Sequence, residues 1–341
     1  MSVEPGGGLL IVIPCLNEAG HIEALVDALL AAAADDALLV VADGGSTDGS
    51  PELVAQAAAR DGRVRLLHNP ARLQSAGVNA AVRRFGSGRR WLLRVDAHAD
   101  YPCDYGARLL ATAERTGADA VVTPMETRGR GCFQRAAATA QNSVLGAGGS
   151  PHRTPGVSGW VDHGHHALMR IDRFVAVGGY DEGFSHNEDA ELDARLVQAG
   201  ARIWLAGDAV VGYYPRSAPG PLWRQYLGYG GGRARNLARH RQRMKLRQLA
   251  PLAIAPSVAL LALAPVWPWA ALPAAAWALL CLGFGALQGV RRRDGCAAVS
   301  GAAAMIMHLA WSVGFWRERL RFRRAPRGSA PTGLVLEPPE G

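Results

Sequence analysis

The sequence predicts an α/β domain on a mostly parallel sheet, followed by C-terminal transmembrane helices. Three observations carry this reading. Over the first hundred residues, short apolar runs alternate with helix-periodic segments, as in parallel strands joined by crossover helices. From Leu249 to Val290, 42 residues pass without an Asp, Glu, Lys or Arg, about two membrane spans at ~20 residues each. The charge is also divided: residues 216–341 hold 18 basic and 4 acidic residues, whereas residues 1–215 hold 19 and 25. The net charge of +8 thus belongs to the C-terminal third. That favours a local basic surface over a chain that coats nucleic acid, and no nucleic-acid partner is expected. With 341 residues, 49% of them hydrophobic, the chain can bury a large core and is not disordered.

Residues 9–13 (LLIVI) form a bounded apolar run, suited to a strand buried on both faces. Ile22, Leu25, Val26, Leu29 and Leu30 repeat at helical spacing within residues 20–34. Residues 38–42 (LLVVA) form a second strand, ending at the turn-rich DGGSTDGS, and Pro51 suits the start of a helix over 51–60. Strands at 63–68 and 91–96 flank a helix at 75–85. A helix at 104–116, a strand at 119–123, an Ala-rich helix at 134–147, a helix at 188–199 stopped by Gly200, and a strand at 201–205 complete residues 1–215. In such sheets ligands bind beyond the carboxyl ends of the strands, where Asp43 and Asp96 fall.

Residues 216–248 form a basic juxtamembrane segment, with an Arg- and Lys-rich run at 233–247 that suits anionic lipid headgroups. Residues 249–316 form a membrane region of two to three helices, and 317–341 a basic, then disordered, tail. Trp267, Pro268 and Trp269 suit the turn of a helical hairpin. The positive-inside rule places 233–247 and 291–293 in the cytoplasm, but a third span over 296–316 would carry Arg317 to Arg327 outside. That third segment is therefore interfacial, re-entrant or a tolerated exception. The alternative to membrane helices is a set of long buried helices. The N-terminus lacks the pattern of a signal peptide, so residues 1–215 are expected in the cytoplasm and the protein at the inner (plasma) membrane. Five scattered cysteines with no C-x-x-C pair suggest reduced thiols, with neither a disulfide framework nor a zinc site.

Four motifs then follow in order: IVIPCLNE at 11–18, VVADGGSTDG at 40–49, RVDAHADYP at 94–102 and GGYDEGFSHNEDAELDARL at 178–196. Their order resembles the inverting nucleotide-sugar glycosyltransferases of family 2, which have the GT-A fold, over about residues 8–245. A closer likeness is to ExoA-like exopolysaccharide glycosyltransferases, carried by DAHA-YP, HNEDAEL with RIWL after it, and YYPRS at 213–217.

The chemistry of transfer can be set beside that resemblance. A nucleotide-sugar donor carries a diphosphate whose negative charge grows as its bond to the sugar breaks, and a divalent cation, Mn²⁺ or Mg²⁺, would stabilise that charge. Asp96 is the expected carboxylate ligand, and His98 stands where the family's Asp-x-Asp motif has its second Asp. Imidazole suits Mn²⁺ better than Mg²⁺, and Asp100 is a substitute ligand. The resemblance implies nucleotide contacts at Glu18 and Asp43, with Pro14, Asn17 and Gly45 beside them and Arg72 and Asn79 lining the donor site. Asp48 reads as a brace of its turn. The resemblance places the base that deprotonates the acceptor hydroxyl on Asp189, with Glu188 beside it. Read alone, that pair would merely cap a helix. Trp160, Asp162 and His163, with His165 and His166 close by, are candidates for acceptor or diphosphate contacts. Arg224, Gln225 and Tyr226 are further acceptor candidates, and the stretch from Gln225 lacks the Q-x-x-R-W signature of processive relatives. The expected function is transfer of a single hexose from a nucleotide diphospho-sugar, UDP-linked, to a lipid-linked (polyprenyl diphosphate) saccharide. The competing readings are a processive polysaccharide synthase and a non-catalytic membrane scaffold.

Overall fold

The computed structural model describes residues 8–150, 153, 155–240, 244, 248–322 and 333–338. They divide into a sheet unit (Met1–Met125, Pro155–Val211, Ser329–Gly341) and a helical unit (Glu126–Thr154, Gly212–Gly328).

The sheet unit begins with strand β1 (Leu9–Cys15), helix α1 (Ile22–Ala32), β2 (Leu38–Asp43), α2 (Ser50–Arg60), β3 (Val64–His68), α3 (Gln74–Phe85), β4 (Trp91–Arg94), α4 (Tyr105–Thr116) and β5 (Ala120–Thr123). A short strand β6 (Met125–Thr127) leads into the helical unit. On its return the chain forms β7 (Gly159–Val161), β8 (His165–Arg170), α7 (Ile171–Ala176), α8 (Glu188–Gln198), β9 (Ile203–Leu205) and the start of β10 (Val211–Tyr213). Helices α5 and α6 lie in the other unit and are given below.

Eight strands form one sheet in the order β3-β2-β1-β4-β8-β5-β9-β7. β3, β2, β1 and β4 are mutually parallel, while β8 runs antiparallel between β4 and β5. The continuous apolar runs arise because the strands are buried on both faces. Ile11, Ile13, Leu39 and Val41 pack with Val26 of α1, Val54 of α2 and Leu109 of α4. Leu10, Val12 and Val40 pack on the other face with Val78 and Val82 of α3, Phe174 of α7 and Leu192 of α8. The register pairs Cys15 with Asp43 and Asp43 with His68, so these strands end together.

The expected disordered tail is corrected at residues 333–338. This stretch returns to the sheet unit, where Leu334 is buried and Leu336 packs against the same core. The Glu337 N–H donates to the Arg83 carbonyl at 2.7 Å. Alternation of Leu334 and Leu336 puts two apolar side chains on one face of an extended segment.

The helical unit holds α5 (Cys132–Gln141), α6 (Val144–Ala147), α9 (Pro219–His240), α10 (Leu249–Ala259), α11 (Leu272–Arg292), α12 (Gly295–Ala298) and α13 (Ser300–Phe322). The single helix expected over 134–147 breaks at Asn142–Ser143. There the Asn142 side chain bonds both ways with the backbone of Thr127, and Ser143 caps α6. The expectation of reduced cysteines without a disulfide is also corrected: Cys132 and Cys296 form a disulfide joining α5 to α12. Their sequence separation of 164 offered no spacing signal. Cys15, Cys103 and Cys281 are free thiols.

Two helices, Pro268–Arg292 and Gly295–Arg321, are long and apolar enough to cross a membrane by length and composition. Leu249–Leu263 is shorter, and its 15 residues fall below the ~20 that a span needs. The first arm of the hairpin expected over 249–290 is thus the shorter of its two apolar helices.

Candidate active site

The first two loops at the carboxyl edge of the sheet are zipped together by side chain to backbone bonds. The Asn17 N–H donates to Ser46 Oγ at 2.8 Å, and Asn17 Oδ1 accepts from the Thr47 N–H at 2.9 Å. Asn17 adopts φ 57°, which asparagine tolerates better than most residues. The Glu18 N–H donates to Ser50 Oγ and the Ala19 N–H to Asp48 Oδ2, both at 2.9 Å. Asp48 also accepts from the Ser50 hydroxyl at 2.6 Å, so it braces the turn as expected from its position.

Asp43 is buried at the end of β2, and its Oδ2 accepts from the Gly45 N–H at 2.8 Å and the Ser46 N–H at 3.1 Å. Gly45 has φ 83°, a conformation that favours glycine. A Cβ there would lie 3.4 Å from Arg72 Nη2, so the Arg72 guanidinium reaches over the second loop.

Beyond β4 the chain turns at Ala97 and His98 instead of staying extended. The Asp96 N–H donates to the Tyr101 hydroxyl at 2.7 Å. His98 reaches back to the first loop, its Nδ1 lying 2.9 Å from Glu18 Oε1. Glu18 and His98, 80 residues apart, thus form one pair.

At the start of α8, Asp189 and Glu188 converge with β4. Asp189 Oδ1 accepts from Arg94 Nη1 at 2.5 Å and from the Tyr180 hydroxyl at 3.0 Å. Asp189 Oδ2 lies 3.2 Å from His165 Nδ1. Arg94 Nη2 also lies 3.3 Å from Asp96 Oδ1, 3.9 Å from Glu188 Oε1 and 3.1 Å from Gln74 Oε1. Burial opposes the charge on Arg94, but Asp189, Tyr180, Asp96 and Glu188 outweigh it and hold the guanidinium charged. Burial and then the charge of Asp189 push the Glu188 carboxyl up to about 7.

Arg94 is the residue that reading the sequence missed. The signal was present: a lone charge inside the apolar strand WLLRVD, two positions before Asp96 and so on the same strand face. Tyr180 and Gln74 were likewise not assigned to the site, and His165, read as a candidate acceptor or diphosphate contact, lies against Asp189. Two assigned residues make structural contacts. Pro14 is buried within β1, paired with Ala42. Asn79 is buried and turned into the loop after α7. Its Nδ2 donates to the Tyr180 carbonyl and to Glu182 Oε1, both at 2.9 Å, and its Oδ1 accepts from the Tyr180 N–H at 2.8 Å. Those bonds leave Asn79 little capacity for a donor.

Residues 10–174 match the family described as Glycosyl transferase family 2. Over 317 residues the chain is 55% identical to the succinoglycan biosynthesis protein ExoA of Rhizobium meliloti (strain 1021), covering 92% of this chain and 96% of that one. The chain is a family 2 glycosyltransferase. Its fold is similar to the mannosyltransferase PcManGT from Pyrobaculum calidifontis in complex with GDP-Man and Mn²⁺, with a TM-score of 0.55 and 20% identity, covering 93% and 88% of the two chains. It is also similar to GalNAc-T7 with UDP, GalNAc and Mn²⁺, with a TM-score of 0.52 and 15% identity, covering 74% and 51%.

Among the described residues, no cluster of three or more His, Cys, Asp or Glu side chains could hold a metal alone. Asp96 and His98 nevertheless fit a site that donor phosphates complete, since such cations often take one or two carboxylates plus phosphate oxygens. The carboxylate of Glu18 against Nδ1 of His98 is the usual support for a metal-binding histidine, and a neutral ring protonated at Nδ1 would offer Nε2 as the ligand atom.

The acceptor candidates divide between the units. Trp160 stands edge-on to Trp204, ring centroids 4.9 Å apart, with the Arg202 guanidinium 3.8 Å over its ring. Asp162 is exposed, and His163 Nδ1 lies 2.6 Å from Asp193 Oδ2. Arg224, Gln225 and Tyr226 belong to α9 of the helical unit. There Gln225 donates to the Tyr213 hydroxyl at 2.9 Å, and Tyr226 packs against Tyr229.

Proposed function

We propose that this family 2 enzyme transfers a single hexose, with inversion, from a UDP-sugar to a lipid-linked saccharide in succinoglycan-type exopolysaccharide synthesis. It would work at the inner membrane with the sheet unit in the cytoplasm. The observation that carries the donor site is the gathering of Asp43, Arg72, Asp96 and the Glu18–His98 pair at one edge of the sheet. Asp43 and Glu18 bind the nucleoside, and Arg72 binds the diphosphate. Asp96 and His98 hold a divalent cation, Mn²⁺ or Mg²⁺, which supplies positive charge for the departing nucleoside diphosphate. Asp189 takes the proton of the acceptor hydroxyl. The linkage formed is β when the donor is α-linked. The 55% identity to a succinoglycan biosynthesis protein supports the pathway class. The apolar helices and flanking arginines support the membrane and a lipid-linked acceptor.

A specific observation favours a second reading of the base. Both Asp189 oxygens are engaged, whereas the His165 side chain is about one-third exposed (34%) with its Nδ1 against Asp189. In that arrangement the carboxylate orients the imidazole, and Nε2 of His165 accepts the proton.

The test is donor turnover. Purified enzyme should release UDP from one of a panel of UDP-, GDP- and dTDP-sugars only with a divalent cation, and Asp96→Ala should abolish release. Turnover of no donor, with any metal and any lipid acceptor, would leave the scaffold reading. Product length on one acceptor separates single transfer from polymerisation. Asp189→Asn should stop transfer while sparing donor binding under either reading of the base. His165→Ala decides between them: retained transfer with an unchanged pH profile places the proton on Asp189, and a comparable loss places it on His165.

A further inference from the structure

The fate of the apolar helices is decided by what they pack against. α9 and α13 run parallel in backbone contact: a Cβ at Gly314 would meet the Leu227 carbonyl, one at Gly230 the Trp311 carbonyl, and Arg235 pairs with Glu318 at 3.0 Å. α11 runs antiparallel along α13, with Gly285 against Ala298, Cys281 against Gly301, and Trp277 Nε1 donating to His308 Nδ1 at 3.3 Å. α10 begins at the far end of the bundle, where the Leu252 carbonyl accepts from Ser312 Oγ and Trp316 Nε1. If α11 and α13 crossed a bilayer, α9 would cross beside them and carry Arg224 and Arg233 with it. The chain would then cross three times, along α9, α11 and α13. It would end on the side opposite the sheet unit.

Two observations oppose that outcome. The tail after α13 docks on the sheet unit, with Leu334 buried in its core and Glu337 bonded to Arg83 of α3. The link between them in sequence, RRAPRGSAPT, has ten residues with three arginines, against the ~20 apolar residues that a return span needs. Basic residues also sit at both ends of the bundle. Arg291, Arg292 and Arg293 lie at one end, and Arg235, Arg239, Arg317, Arg319 and Arg321 at the other. A bundle standing upright places one of these collars on the wrong face of the membrane. A bundle lying flat places both at headgroups of the same leaflet.

We propose that the helical unit is a monotopic membrane module. It would lie in the plane of an anionic bilayer and sink one apolar face into the near leaflet without crossing. The face is formed by the turn between α10 and α11 and by the outer side of α11. Val266, Trp269, Leu279 and Val290 are 85%, 68%, 71% and 77% exposed there. Trp267 and Trp269 are suited to the depth at which hydrocarbon meets headgroup. The partner is thus a lipid surface of negative charge, matched by the two arginine collars. This inference rests on the membrane reading of the function and changes its geometry.

The experiment uses the full chain in a bacterium, carrying Val266→Cys, with a C-terminal fluorescent-protein fusion and, in parallel, a C-terminal alkaline phosphatase fusion. A membrane-impermeant maleimide is added to intact spheroplasts and, separately, after detergent, and the modified peptides are identified by mass spectrometry. The proposal expects the protein in the membrane fraction, the introduced thiol labelled only after detergent, a fluorescent fusion and an inactive phosphatase fusion. It also expects at least tenfold tighter binding of the purified chain to phosphatidylglycerol vesicles than to phosphatidylcholine vesicles. Labelling of the introduced thiol from outside, or an active phosphatase fusion, shows a crossing and overturns the proposal while the membrane reading stands. A protein that stays in the soluble fraction and binds neither vesicle overturns the membrane reading itself. If that soluble protein sediments as a dimer, the face belongs to a second copy.

Discussion

Arg94 neutralises three carboxylates at once, so its removal should cost more than any single ion pair on the surface. Asp189, Asp96 and Glu188 all lie within 4 Å of its guanidinium. Arg94→Met keeps the bulk and removes the charge, leaving buried anions uncompensated. That should lower stability by about 3–5 kcal/mol and abolish transfer, read by chemical denaturation and by turnover. Arg94→Lys should retain part of the stability but not the geometry, because an ammonium lacks the planar fork that serves Asp189 and Gln74 together. Glu188 supplies a pH signature. Burial and the neighbouring Asp189 raise its carboxyl from an ordinary 4.5 to about 7. The folded protein therefore holds a proton that the unfolded chain releases. The contribution is complete below about pH 4.5 and is lost as pH rises through about 7. Glu188→Gln is neutral throughout. Its melting temperature relative to the wild type, without metal or donor, should therefore rise from pH 5 to pH 8. The change should be worth on the order of 3 kcal/mol. A difference that does not move with pH would show that the carboxyl is not raised.

At the level of elements, the loop from Gly178 to Glu182 joins the packing to the chemistry. Asn79 on α3 holds it by three hydrogen bonds, and the loop in turn presents the Tyr180 hydroxyl to Asp189. Asn79→Ala should cost about 2–3 kcal/mol in denaturant unfolding, since it leaves buried backbone groups unpaired. It should lower kcat while leaving nucleotide affinity, measured by calorimetry, nearly unchanged. If nucleotide affinity falls and the loop is unaffected, Asn79 belongs to the donor site as the motif resemblance implied. The parallel strands and their helices were legible because burial on both faces writes an unbroken apolar run into the sequence. Asp43 and Asp96 were legible because they stand where strands end, whereas the Glu188–Asp189 pair was picked out by the motif resemblance, since read alone it would only cap a helix. The placing of β8 between β4 and β5 was not legible, since strand order is a tertiary property with no local code. The loop-facing role of Asn79 was hidden for the same reason, because its partners lie about a hundred residues away. Arg94 could have been read, by asking why a charge stands in a strand that is otherwise apolar.

At the scale of the whole chain, the helical unit is an insertion that leaves the sheet unit and returns to it twice, the second time as the tail. The division of charge follows the same line, with the carboxylates of the site in the sheet unit and the arginine collars in the helical one. The return of the tail has an energetic consequence that a dangling terminus would lack. Leu334 is 8% exposed within the core that includes Val78 and Val82 of α3, and a Cβ on Gly86 would lie 3.2 Å from Leu336. Leu334→Asp places a carboxylate against that core with no cation given to it, so the segment should leave its site instead of burying the charge. Losing the apolar burial of Leu334 and Leu336 together should cost about 2–4 kcal/mol of sheet-unit stability. Hydrogen exchange should resolve where the loss falls. Amides of α3, Gln74–Phe85, should exchange faster in Leu334→Asp, while those of α9 and α13 keep their protection. Unchanged exchange in α3 would mean that the tail contributes no stability to the sheet unit. The connectivity that argues for a same-side C-terminus would then rest on the charge distribution alone.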